Sequence, residues 1–281
     1  MMNEQALSEA IEDLLVARNP RNMRLARAAL SPGYYLRAAR ALQVGNRCVL
    51  IGTGFPVAGT FETDGPVGAI ALYQGLQALG ADPVLACAAP LADVLAADYR
   101  VLPLSCNDVA DSTLEAGRWL AQWQPAAVVS IERPGLTADG RYYNMRGEDI
   151  SAGAGVFDPY LSLASCPTIA IGDGGNEIGM GKIAAAIAAL DIRVSVTPCD
   201  ELLVADVSNW GAYGLLAFLG LWAGRDLLGE FSPLATLQYL SARGSVDGVT
   251  RANTLTEDGM PATEGDAVIR QLRELSGIAA T

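Results

Sequence analysis

The 281-residue sequence predicts an α/β, doubly wound fold of the broad Rossmann type: a mostly parallel sheet with helices on both faces and a helical N-terminal cap. Three observations lead there. Short apolar runs recur at 47–52, 83–88, 99–104, 126–131, 167–172, 193–197 and 201–205. Helix-patterned stretches at 66–79, 90–97, 109–123 and 175–190 lie between most of them. Pro66 and Pro90 stand at first-turn positions and Gly80 just past a helix end, the usual asymmetry of helix termini. Short buried strands alternating with helices imply a parallel sheet covered on both faces. Strand order is not readable from these patterns.

The elements before the first strand are helical. Leu7, Ile11, Leu14 and Leu15 recur at helical spacing, which predicts a helix over 4–18 stopped by Asn19-Pro20. A second helix runs to about Leu30, where Ser31-Pro32-Gly33 breaks it, and a third covers 34–43. Residues 1–44 read as an extension packed on one domain that spans 1–281. Towards the C-terminus, Ser208 reads as the N-cap of a helix over 209–224. Further helices cover 233–243 and 262–276, and a turn-rich stretch fills 244–260. The uncharged run 210–224 has fifteen residues and four glycines, too short for a bilayer and suited to a buried helix or an oligomer contact.

Composition narrows the function. Half the chain is apolar and 18% is charged, a globular profile. A net charge of −12, with no Lys/Arg cluster denser than 18–27, argues against nucleic acid. Five scattered cysteines without a C-x-x-C fit reduced thiols and a cytoplasmic protein. The first fifteen residues carry four acids and no basic region, unlike a secretory or transit segment. There is no histidine, so Ser-His-Asp and Cys-His mechanisms are excluded. Acid–base work falls to Asp, Glu, Lys, Tyr or Cys.

In a doubly wound sheet, ligands bind beyond the carboxyl ends of the strands. The residues following those ends are therefore the candidates. Gly54, Glu62 and Asp64 follow the first strand; Glu132 and Arg133, then Asn144 and Arg146, follow the run at 126–131. The run at 167–172 leads into Gly172-Asp173-Gly174-Gly175-Asn176-Glu177-Ile178-Gly179-Met180-Gly181-Lys182, with five glycines in eleven residues. Asp206, Ser208 and Asn209 follow the last strand. Glycines there let main-chain N–H groups face an anion. The phosphate motifs do not fit: counting back from Gly181-Lys182 puts Asn176 where a P-loop needs glycine, and G-x-G-x-x-G from Gly172 meets Glu177. The acids Glu62, Asp64, Asp173, Glu177 and Asp206 offer a substrate-ammonium site, a hard-cation site or a proton relay. Arg133 and Arg146 suit a carboxylate. Lys182 reads as a proton donor, an anion partner or a surface charge.

Four segments together resemble the D-glutamate cyclase family. They are Glu62-Thr63-Asp64-Gly65-Pro66 with Thr53-Gly54-Phe55; Glu132-Arg133 with Tyr143-Asn144-Met145-Arg146-Gly147 and Asp149-Ile150-Ser151; the glycine-rich run 172–181; and Val207-Ser208-Asn209-Trp210-Gly211. The resemblance starts at about residue 45 and is to the C-terminal, cyclase-like part of the vertebrate mitochondrial members. It implies a hydro-lyase that closes D-glutamate to 5-oxo-D-proline with loss of water. On that basis Gly172, Gly174, Gly175 and Asn176 bind one carboxylate, and Arg133 or Arg146 holds the other. Glu177 or Asp173 takes the ammonium proton and Asp64 assists. Gly54, Glu62, Asn144, Lys182, Ser208 and Asn209 complete the expected substrate contacts. No cofactor is required; a divalent cation, if used, is expected on Asp64, Asp173 and Glu177. Two other readings stay open: a metal-assisted hydrolase or lyase of a small amino or sugar acid, and a non-catalytic amino-acid-binding domain. The expected partner is a small molecule, not nucleic acid or membrane, and a homo-oligomer is compatible with the sequence.

Overall fold

The computed structural model describes residues 2–278; Met1 and 279–281, which the single-domain expectation includes, lie outside them. Six parallel strands form the central sheet: β1 Cys48–Thr53, β2 Asp82–Ala88, β3 Val101–Leu104, β4 Ala127–Ile131, β5 Thr168–Gly172 and β6 Glu201–Val204. Their spatial order is β3-β2-β1-β4-β5-β6. This is the doubly wound order, and it reverses direction between β1 and β4, the place where such sheets open a crevice. In register, Leu50 of β1 lies between Val84 of β2 and Val128 of β4.

Strand side chains alternate between faces, and the core divides accordingly. Val49, Ile51, Leu85, Cys87, Val129 and Ile131 join one apolar cluster with helices α4 (Pro66–Ala78) and α9 (Ser208–Ala223). Leu50, Val84, Ala86 and Val128 join another with α6 (Val109–Trp123) and α7 (Asp158–Ser162). Every residue from Ser208 to Gly220 is buried, so the uncharged helix is core. Among the described residues no helix is long and apolar enough to cross a membrane.

The N-terminal extension is helical as expected, with α1 (Glu4–Leu15), α2 (Met23–Ala28) and α3 (Tyr34–Ala41). Asn3 caps α1, its side chain accepting from Ala6 N at 2.7 Å. Helix α3 packs on β6 and α9, and α1 on α3, α9 and α11 (Ala262–Ser276).

Two expectations fail, and for one reason. The helix predicted over 175–190 shrinks to a 3₁₀ turn, Met180–Ile183, and α8, Ala184–Ile187. The strand predicted over 193–197 does not form. Gly175 and Gly179 hold φ of +112° and +99°, which no continuing helix allows. The freed backbone instead pairs with the following segment: Ser195 N donates to Gly175 O at 3.1 Å, and Gly179 N and Gly181 N donate to Thr197 O at 2.8 and 3.1 Å. Gly181 lies directly against the backbone of Val196 and Thr197, where a Cβ would collide.

Candidate active site

The carboxyl ends of β1, β4 and β5 converge on a cavity of about 260 Å³. Its floor carries Glu62, Glu132, Asp173 and Asp258, with Arg21 across them; its rim carries Asn144, Arg146, Val249 and Arg251. That volume lies just below the roughly 300–1,000 Å³ of pockets for drug-sized ligands, so it suits an amino-acid-sized molecule.

Two helix N-termini meet beneath this floor and exchange caps. Asp64, in the loop before α4, accepts from Ser208 N at 2.9 Å and Asn209 N at 2.8 Å at the start of α9. Asn209, in the first turn of α9, returns the arrangement: its Oδ1 accepts from Gly65 N at 2.8 Å and Gly68 N at 2.7 Å at the start of α4. Each side chain satisfies N–H groups that the other helix leaves unpaired. Gly68 permits the approach, since a Cβ there would stand 2.7 Å from Asn209 Cα. Glu257 completes the knot, accepting from Asn209 Nδ2 at 2.8 Å and Trp210 Nε1 at 3.0 Å. Ser208 is therefore not the cap it was expected to be. It lies inside the helix, and its hydroxyl donates to Glu132 Oε2 at 2.6 Å.

The glycine-rich turn cradles a carboxylate, as its composition suggested, but the carboxylate is its own. Gly175 N donates to Glu177 Oε2 at 2.7 Å. Burial raises the Glu177 carboxyl, while backbone bonds from Gly175, Glu177 and Gly174 pull it back down. The backbone expected to receive a substrate carboxylate is thus engaged, and Glu177 does not line the cavity. Asn176 does line it; its Nδ2 donates to Tyr143 O at 2.9 Å and its buried Oδ1 has no partner. Asp173 faces the cavity floor.

Arg133 cannot hold a substrate. It is buried, and its guanidinium donates to four main-chain carbonyls: Thr53 at 3.1 Å, Gly54 at 2.9 Å, Ala154 at 2.6 Å, and Gly155. Burial lowers its pKa to about 10. Its work is to tie the loop after β1, including Gly54 (φ +103°), to the loop before α7. Lys182 is outside the cavity and donates to the carbonyls of Cys199 and Asp200. Arg146 and Asn144 do reach the rim. Arg146 Nη2 donates to Val249 O at 2.9 Å, and Asn144 Nδ2 to Glu148 Oε2 at 2.6 Å.

The remaining acids form a buried cluster. Burial, then the charges of Asp258 and Asp64, hold Glu62 well above the usual carboxylate range. Burial, then Asp258 and Glu257, do the same to Asp64, and burial, then Glu177 and Asp64, to Glu132. Asp173 is also raised by burial, against the pull of Arg21. Asp258 differs: burial pushes it up, but Arg21 and contacts with the carboxyls of Asp173 and Asp64 outweigh that and hold it low. Arg21 Nη1 stands 2.5 Å from Asp173 Oδ2 and 2.7 Å from Asp258 Oδ2. Oxygens of Asp64, Glu132 and Asp173 lie within 4.8 Å of one another. A cation site here therefore draws on Glu132 in place of the expected Glu177, whose carboxylate is turned into its own loop.

Sequence reasoning missed Arg21 and Asp258 and undervalued Glu132. Glu132 holds φ +46° at the end of β4. A non-glycine residue held there costs about 1–3 kcal/mol and is a mark of functional sites. No local signal identified Arg21 or Asp258, which come from the N-terminal extension and the turn-rich stretch before α11.

Residues 11–273 match the model of a family described as D-glutamate cyclase-like, C-terminal. The chain belongs to this family. It is 34% identical over 211 residues to the human protein named D-glutamate cyclase, mitochondrial, a match covering 62% of this chain and 32% of that one. The chain thus spans about a third of the human relative's length. A solved structure, an exopolyphosphatase-related protein from Bacteroides fragilis, superposes with a TM-score of 0.42 at 11% identity, over 86% of this chain and 56% of that one. At that similarity no functional weight attaches to it.

Proposed function

We propose that the protein is a lyase that cyclises D-glutamate to 5-oxo-D-proline with loss of water. The observation that carries this reading is the buried carboxyl cluster on the floor of an amino-acid-sized cavity, in a chain of the cyclase-like family. In the reaction the amine nitrogen bonds to the γ-carboxyl carbon and one C–O bond breaks. The ammonium nitrogen gives up two protons and the departing oxygen leaves with them as water. Holding amine and carboxyl within one small cavity makes the attack effectively unimolecular.

Acids with separated proton affinities suit such a transfer. Asp258, held low by Arg21, is the acid that carries charge; Asp173, in contact with it and with Arg21, takes one proton from nitrogen and passes it to the departing oxygen. Glu132, which burial and then the charges of Glu177 and Asp64 raise well above the usual carboxylate range, gives its proton to the departing oxygen and takes the second proton from nitrogen. Asp64 and Glu177 act from beneath the floor, through their charge and the backbone they hold. Arg146 at the rim is the member of the expected arginine pair able to meet a carboxylate. Incubation with D- and L-glutamate followed by mass spectrometry tests the reading: loss of one water from the D-form is expected, and an unchanged mass for both enantiomers sinks it. The cytosol is the compartment we assign, a reading supported by the five free cysteines.

A second reading rests on the juxtaposed oxygens of Asp64, Glu132 and Asp173. These are hard donors of the kind Mg²⁺ or Ca²⁺ takes. A cation held there would act as a Lewis acid on a substrate carboxyl oxygen. Activity abolished by EDTA and restored by Mg²⁺ is the outcome expected on this reading; full activity after exhaustive chelation removes it.

A further inference from the structure

The α1–α2 connection crosses from the helical extension to the cavity, and its course is held from the end of β6. Asp206 accepts from Arg18 N at 2.7 Å and from Asn19 N at 2.9 Å, and its own N–H donates to Leu15 O at 2.7 Å. Asn19 and Asn22 take φ of +55° and +63°, conformations that asparagine tolerates better than most residues. Between them, Arg21 is carried over the acid floor with its side chain 19% exposed.

The bonding of Arg21 is one-sided. Nη1 meets both Asp173 and Asp258, whereas Nε and Nη2 make no hydrogen bond to any described residue. The side chain lines the cavity. The other arginines near the site are tied elsewhere, and none makes a described bond to an acid of the cavity floor. Arg133 serves four carbonyls, Arg146 donates to Val249 O, and Arg251 pairs with Glu148. A guanidinium edge with two parallel N–H groups matches a carboxylate in two-point fashion. The contact with Asp173 and Asp258 fixes the orientation of that edge, so little side-chain freedom remains to be lost on binding.

We propose that Arg21 binds a carboxylate of the substrate, which makes the N-terminal arm part of the binding site and restricts the cavity to small carboxylate-bearing molecules. The ammonium of an amino acid then faces the acids while its carboxylate faces Arg21. The identity of the substrate as D-glutamate rests on the function proposed above; the carboxylate contact does not.

Glutarate, which has glutamate's two carboxyls and no amine to react, is the probe. Calorimetric titration of the full chain should show glutarate binding, weakened about tenfold or more in Arg21→Gln and to a lesser degree in Arg21→Lys. 1,5-Diaminopentane, with no carboxylate, should show no such dependence on Arg21. Equal glutarate affinity in wild type and a folded Arg21→Gln overturns the proposal, as does absence of glutarate binding to wild type. If Arg21→Gln unfolds, Arg21→Lys carries the test, because it keeps the charge against Asp173 and Asp258 and loses only the planar edge. Turnover separates the two ideas. Arg21-dependent glutarate binding without dehydration of D-glutamate removes the cyclase reading and keeps Arg21. Dehydration at unchanged KM in Arg21→Gln does the reverse.

Discussion

Arg133 and Arg21 are held at the same end of the sheet and do different work. Arg133 stands in a conspicuous Glu-Arg-Pro-Gly segment right after β4, and all of its described bonds go to main-chain carbonyls. Arg21 stands in an unremarkable stretch between two short helices and meets two carboxylates at the cavity. Their proton affinities move apart accordingly: burial lowers Arg133 to about 10, while Asp173 and Asp258 raise Arg21 well above its ordinary value despite burial. A buried arginine is informative about ligand binding when the donors its partners leave free line the cavity, as in Arg21; the Nε that Arg133 leaves without a partner is buried outside it. Asp64 and Asp173 repeat the contrast among the acids, one engaged in capping a helix and the other facing the cavity.

The largest effect that sharpens this comparison is on Arg133. Arg133→Leu leaves buried carbonyls without donors, each costing about 1–3 kcal/mol, so a stability loss of about 3 kcal/mol or more is expected in urea unfolding. A loss under about 1 kcal/mol would break the contrast. Next is Asp173→Asn, a near-isosteric change at the cavity. It should lower kcat for D-glutamate dehydration by about 10²-fold or more, with the unfolding midpoint little changed, since Asp258 remains as the counter-ion of Arg21. Retained turnover in that variant takes Asp173 out of the chemistry. Asp64→Ala should act chiefly on the fold, costing about 1–2 kcal/mol through the uncapped start of α9.

The smallest effect is in pH dependence. Burial raises Glu257 to about 7, against the bonds from Trp210 and Asn209. A raised folded-state value means that its contribution to stability is fully present below the unfolded value of about 4.5 and is lost as pH rises through about 7. Stability measured from pH 5 to 8 should therefore decline less steeply in Glu257→Gln than in wild type. Identical slopes would show that Glu257 titrates alike in both states.

Most of the architecture was legible because it depends on local pattern. Strand runs such as Cys48–Thr53 and Ala127–Ile131, Pro66 at a helix start and Gly80 past its end all express backbone preference and apolar period. The strand order reads off no such pattern; it follows from which faces bury which helices. The failures fall where glycines let chain segments pair with each other, at 175–197, so that local helix propensity yields to contacts 16–20 residues apart, as between Gly175 and Ser195.

The candidate site divides in the same way. The amino-acid sequence alone determined the fold class, the chemistry without histidine, and the loops in which acids gather: Glu62, Asp64, Asp173, Glu177 and Asp206. Tertiary structure decided which of those carboxyls face the cavity, because each loop's own N–H groups and the neighbouring helix ends compete for them. It also decided that Arg21 and Asp258 join them. Their neighbours are distant in sequence, and only packing of the N-terminal arm and the turn-rich stretch over the strand ends brings the charges together.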